Sequence, residues 1–159
     1  MKKEHLIICL ITLLAVITIK SIQPIAIPLN DGEYYTSVSY VTYTSEELKL
    51  LLDEHFSFLE YEDGVIDCSE ISAYYEWFLE NKGYHTFFAW STHIIGSNHM
   101  WLLVETSEGL IPIETSCGQK AVILNKFSYS ENYNMGHTCD TIYEAIKVFG
   151  ISEVDWWNI

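Results

Sequence analysis

GVIDCSEISAYYEWFLENKG, residues 64–83, carries a helix whose two ends are both written into the sequence, with a cysteine in its first turn. Asp67 is a good N-cap residue, and Glu70 stands at the third helical position, where its carboxylate can reach back to the cap. Ile71, Tyr74, Tyr75, Phe78 and Leu79 recur at helical spacing, and Gly83 supplies the stop. The pattern predicts a helix that begins at Cys68. Residues three and four apart share a face, so Cys68 belongs above Ile71, Ser72 and Tyr75 on the side turned to the core.

Upstream, Thr44 and Glu47 repeat the capping-box pattern, and Leu48, Leu51, Leu52, His55, Phe56 and Leu59 predict a helix over 45–59. Tyr34 to Tyr43, rich in Tyr, Val and Thr, predicts a strand or extended arm. Downstream, 84–90, 98–105 and 110–115 read as strands, the last two joined by Thr106, Ser107, Glu108 and Gly109 at hairpin length. Thr141 and Glu144 cap a final helix carrying Ile142, Ala145, Ile146 and Phe149 and ended by Gly150. Between Cys117 and Cys139 the reading is ambiguous, with a short apolar patch at Ala121 to Leu124 and a loop rich in Asn, Tyr and Gly. Trp156 and Trp157 suit a lock for the chain end better than a ligand patch. Two helices followed by antiparallel strands make the class α+β, with the cysteine-bearing helix packed on the sheet.

The chain has 159 residues, 49% of them apolar, which suffices for one domain over 45–159. Its 22 acidic residues outnumber 8 basic ones, all lysine, for a net charge of −14. Without a single guanidinium and with a repelling field, nucleic acid is excluded as a partner. Residues 1–27 hold Lys2 and Lys3, then an apolar run from Leu6 to Ile19, then Lys20. At ~1.5 Å per residue that run is shorter than the ~30 Å hydrocarbon core, so it reads as a signal peptide or a short membrane anchor. Residues 28–44 follow as a linker or extended arm. Positive-inside logic then puts the domain in an extracytoplasmic location, membrane-anchored or secreted. Cys9 lies in the apolar segment, which leaves Cys68, Cys117 and Cys139; a bridge between the last two with Cys68 free is one economical arrangement, and three free thiols is another.

A helix start favours a thiolate through its unpaired N–H groups and dipole. That effect is worth only ~0.3–1 kcal/mol, less than one pH unit of acidification, so a reactive thiol there needs a second partner, typically a histidine. His99 opens the strand NHMWLLVE, with Trp101 and Leu103 on its face. Two hairpin registers are open, 105 paired with 108 or 105 paired with 110. In both, Glu114 shares a face with His99, directly opposite or diagonal. The order Cys68, His99, Glu114 supplies a nucleophile, a base and a carboxylate to orient it.

G-x-x-D-C-S-E-I-S at a helix start, H-M-W-L-L-V-E on a strand and I-P-I-E-T-S on the next resemble the transglutaminase-like superfamily over residues 45–116. The resemblance implies a papain-like core with Cys68, His99 and Glu114 as catalytic triad, and acyl chemistry through a thioester. Glu114 stands where the family usually has Asp. The expected activity is a cysteine-nucleophile amide hydrolase or acyl transferase on peptide, protein or cell-envelope amides. The expected partners are that substrate and, through the N-terminal segment, a membrane. The competing reading is an extracytoplasmic interaction module that keeps the fold without turnover. No cofactor is expected: His93, His99, His137, Cys117 and Cys139 contain zinc-ligand types, yet no C-x-x-C or H-E-x-x-H spacing occurs. Cys68 N–H is the natural first oxyanion donor, and no second donor stands out.

Overall fold

The computed structural model describes residues 34–35, 39–62, 65–94, 97–125, 129, 133 and 136–158. The 1–27 segment and much of the 28–44 arm lie outside them, and so does the side chain of His93. Among the described residues no helix is long and apolar enough to cross a membrane.

The first helix, α1, spans Ser45–Glu54. Thr44 N–H donates to Glu47 Oε2 at 2.8 Å and Glu47 N–H to Thr44 Oγ1 at 3.2 Å, so the capping box is complete. The helix stops five residues before the periodic pattern predicts. His55 turns extended, its ring stacks on Phe78 with centroids 3.6 Å apart, and Ser57 N–H is claimed by Gln119 O at 2.8 Å. Leu59 is still buried, but from a loop, whereas Phe56 is left exposed. Helical spacing that includes aromatic loop anchors overstates a helix.

The second helix, α2, runs Cys68–Glu80 under a complete capping box. Asp67 N–H donates to Glu70 Oε2 at 2.9 Å, and Ser69 N–H to Asp67 Oδ1 at 2.8 Å. Past its C-terminus Gly83 takes φ 88°, the left-handed conformation that a helix stop asks of glycine.

Five antiparallel strands follow: β1 Thr86–Ile94, β2 Ser97–Thr106, β3 Gly109–Glu114, β4 Val122–Ile123 and β5 His137–Cys139. Their spatial order is β4-β3-β2-β1-β5. The class is therefore α+β. Period-2 alternation sorts the strand residues onto two faces. Phe88, Met100, Leu102, Val104 and Ile113 face α2 in the main core with Ile71, Tyr75 and Leu79. Each fully buried aliphatic side chain of this set contributes about 1.5–3 kcal/mol. Ala89, Trp101 and Leu103 form a smaller cluster on the opposite face, partly covered by Phe87, Tyr129 and Tyr133.

The third helix, α3, spans Ile142–Phe149, capped by Thr141, and is followed by short turns at Ile151–Glu153 and Trp156–Asn158. Trp156 does lock the chain end: its indole N–H donates to Tyr34 Oη at 3.2 Å, and its ring packs against Tyr74 and Trp77. Tyr34 is buried and donates to Ala73 O at 3.1 Å. Where it is described, the 34–43 stretch pairs with no strand; residues 39–43 lie along the domain as an arm, held by Val41 N–H to Gly83 O at 3.0 Å.

Cys68, Cys117 and Cys139 are all free, so the Cys117–Cys139 bridge does not form. Topology accounts for this. Cys139 is on β5, three strand intervals from β3 at roughly 4.8 Å each, and Cys117 follows β3, far beyond the ~7 Å reach between Cα atoms.

Candidate active site

The β2–β3 hairpin takes one of the two registers open to it. Thr106 pairs with Gly109, Glu105 with Leu110 and Leu102 with Ile113, leaving Ser107 and Glu108 as the loop. Continued by one residue, this register sets Glu114 across from Trp101 and diagonal to His99. The two side chains meet: His99 Nε2 lies 2.7 Å from Glu114 Oε2. The extra methylene of Glu over Asp fits this diagonal reach.

Glu114 is almost fully buried, and both its oxygens are occupied. Ser116 donates to Oε1 from its backbone N–H at 2.9 Å and its hydroxyl at 2.7 Å. Tyr133 donates its hydroxyl to Oε2 at 2.6 Å, beside His99. Burial alone pushes the Glu114 carboxyl up, but the hydrogen bonds from His99 and Tyr133 prevail and hold it down to about 2. Burial likewise pushes His99 down, but the hydrogen bond with Cys68 and the contact with Glu114 outweigh it and raise the imidazole to about 10. At neutral pH the pair is imidazolium and carboxylate.

Cys68 is the first residue of α2, half-buried, with its sulfur against His99. Since Nε2 is committed to Glu114, Nδ1 is the ring nitrogen left to meet the thiol. Asp67, the cap residue beside it, stays ionised: burial raises its carboxyl, the Ser69 hydrogen bonds more than compensate, and the charge of His99 adds to them. Helix capping therefore does a second service, since the interaction that starts α2 also places a carboxylate beside the thiol.

A cleft of about 270 Å³ opens over this group, lined among others by Asp67, Cys68, Trp90, His99, Phe149 and Glu153. Phe149 packs edge-on against Trp90, whose other neighbour is the stacked ring of His137. All three residues singled out in the sequence thus meet in one place. Sequence reasoning missed the supports. Nothing in the hairpin pattern gives Ser116 a role, and Tyr133 lies in a stretch with no periodicity to mark it. No group of His, Cys, Asp and Glu suited to a metal ion occurs among the described residues.

No family model matches the chain, and no solved structure matches it. An uncharacterized protein of Methanocaldococcus jannaschii is 26% identical over 121 residues, covering 62% of this chain and 51% of that protein. The chain spans about half the length of the curated relative it matches.

Proposed function

We propose that this protein is a cysteine-dependent amide hydrolase or acyl transferase of the transglutaminase-like kind, with Cys68 as nucleophile, His99 as acid and base, and Glu114 as the orienting carboxylate. The observation that carries this reading is the hydrogen bond at 2.7 Å between His99 Nε2 and Glu114, which leaves the other ring nitrogen for the sulfur of Cys68.

The chemistry follows from the roles. The Cys68 sulfur attacks the amide carbonyl carbon, and a C–S bond forms as the carbonyl oxygen takes the negative charge. At the first position of α2 the Cys68 N–H has no acceptor within its own helix, so it is available to that oxyanion. His99 passes its proton to the departing amine as the C–N bond breaks, leaving a thioester on Cys68. Water or an incoming amine then attacks, His99 takes a proton from it, and the C–S bond breaks to release the sulfur as thiolate. Glu114 stays charged throughout and fixes the ring through Nε2. The open cleft over Cys68 favours this reading over a binding module, which can tolerate a blocked site. The substrates proposed are peptide, protein or cell-envelope amides outside the cytoplasm, approached from a membrane-tethered or secreted position.

Acyl transfer is tested with p-nitrophenyl acetate, followed by peptide mass spectrometry. The acetyl group accumulates on Cys68 ahead of the more exposed Cys117, is removed by hydroxylamine, and is absent from Cys68→Ala. Acetylation that follows exposure, with Cys117 labelled first, refutes the proposal.

A further inference from the structure

The cleft beside Cys68 is lined by two kinds of side chain: the apolar Trp90, Phe149 and Met100, and two carboxylates, Asp67 at the start of α2 and Glu153 at the end of the turn after α3. Among the described residues no lysine lines it, and the cation among them, His99, is already bound to Glu114 at 2.7 Å. The lining therefore combines net negative charge with aromatic surface. An aliphatic stem ending in an ammonium suits both, its methylenes on the rings and its charge near the carboxylates.

Size narrows the occupant further. At about 270 Å³ the cleft falls below the ~300–1,000 Å³ usual for whole small-molecule ligands, so it accommodates one side chain rather than a run of polymer. Because Cys68 itself is part of the wall, that side chain belongs to the residue next to the attacked carbonyl. The field of the whole chain acts in the same sense, with 22 acidic residues against 8 lysines drawing cationic peptides toward the surface.

We infer that the Asp67–Glu153 cleft selects substrates with a cationic side chain, lysine above all, adjoining the bond attacked at Cys68. This rests on the proposed cysteine chemistry and adds its specificity. Asp67 is a poor residue to vary because it caps α2, whereas Glu153 is exposed at the end of a short turn.

The test uses acetyl-glycyl-lysyl chloromethyl ketone and its norleucyl and glutamyl counterparts. The Cys68 thiolate displaces chloride from the methylene, a C–S bond replacing the C–Cl bond, and the second-order rate of loss of free Cys68 is read by peptide mass spectrometry. In the wild type the lysyl probe reacts about tenfold faster than the norleucyl one, the scale of a close charge pair. Glu153→Gln brings that ratio below about threefold, and Glu153→Lys turns the preference toward the glutamyl probe. Equal lysyl and norleucyl rates in the wild type, or a ratio unmoved by both Glu153 variants, overturn the specificity while leaving the nucleophile intact. Failure of all three probes and of iodoacetamide to label Cys68 defeats the cysteine chemistry, and the specificity falls with it.

Discussion

His99 Nε2 and Glu114 Oε2 lie 2.7 Å apart on neighbouring strands, and Tyr133 and Ser116 hold the carboxylate from its other sides. The pair ties electrostatics to stability as well as to reactivity. His99 is raised to about 10 in the fold from an ordinary 6.5, so its contribution is complete below pH 6.5 and is lost as pH climbs through 10. Glu114 is lowered to about 2 from 4.5, so its contribution is complete above pH 4.5 and is lost as pH falls through 2. The stability gap between wild type and Glu114→Gln is then widest between pH 4.5 and 6.5, at about 2–4 kcal/mol, and narrows toward either extreme. Thermal melts across pH measure it, and a gap that is flat with pH contradicts the ion pair.

Tyr133→Phe removes the hydroxyl that shares Oε2 with His99. Loss of one hydrogen bond to a charged group costs about 1.5–3 kcal/mol. The freed carboxylate should also hold the imidazole less firmly, so alkylation of Cys68 slows along with the drop in melting temperature. A variant that melts lower but alkylates Cys68 at the wild-type rate shows Tyr133 to be structural only.

Glu70 closes the capping box of α2 from a buried position, and burial raises its carboxyl to about 7 despite the hydrogen bond it accepts from Asp67. A carboxylate raised in the fold weakens the protein as pH climbs from 4.5 to 7, because the buried acid must ionise. Glutamine keeps the accepting oxygen without the charge. Glu70→Gln is therefore expected to gain about 1–2 kcal/mol on wild type between pH 4 and pH 8, after discounting for solvent screening. Denaturant titrations at the two pH values decide it, and a relative loss at pH 8 sinks the desolvation argument.

The cysteines differ in kind as well as in place. Cys139 is buried on β5 and pushed up to about 12 by burial, whereas Cys117 is exposed. Cys117→Ser should change stability by less than about 0.5 kcal/mol, and Cys139→Ser should cost about 1–3 kcal/mol for a buried hydroxyl. A non-reducing digest should return both thiols unbridged; a Cys117–Cys139 disulfide in it contradicts the sheet order.

The legible parts of this fold are those fixed by neighbours in sequence. The caps at Thr44, Asp67 and Thr141 are local hydrogen bonds with fixed residue types, so all three helix starts could be read directly. The Cys68, His99 and Glu114 set was legible for a related reason, since alternation and a short hairpin put His99 and Glu114 on one face in either register. What could not be read depends on distant partners. The end of α1 is decided by Phe78 and Gln119, both remote from His55 in sequence. β5 has three residues and owes its existence to the open edge of β1, and Tyr133 reaches Glu114 from a segment with no pattern of its own.

The proposed chemistry depends on the coupling of Cys68 to His99. The most direct measurement is the rate of iodoacetamide alkylation at Cys68 and Cys117 at pH 7, resolved by peptide mass spectrometry, in wild type and in His99→Ala. With the two coupled, Cys68, though less exposed, reacts at least about tenfold faster than Cys117, and His99→Ala erases the excess. Faster alkylation of Cys117 in the wild type, or a Cys68 rate indifferent to His99, would contradict it.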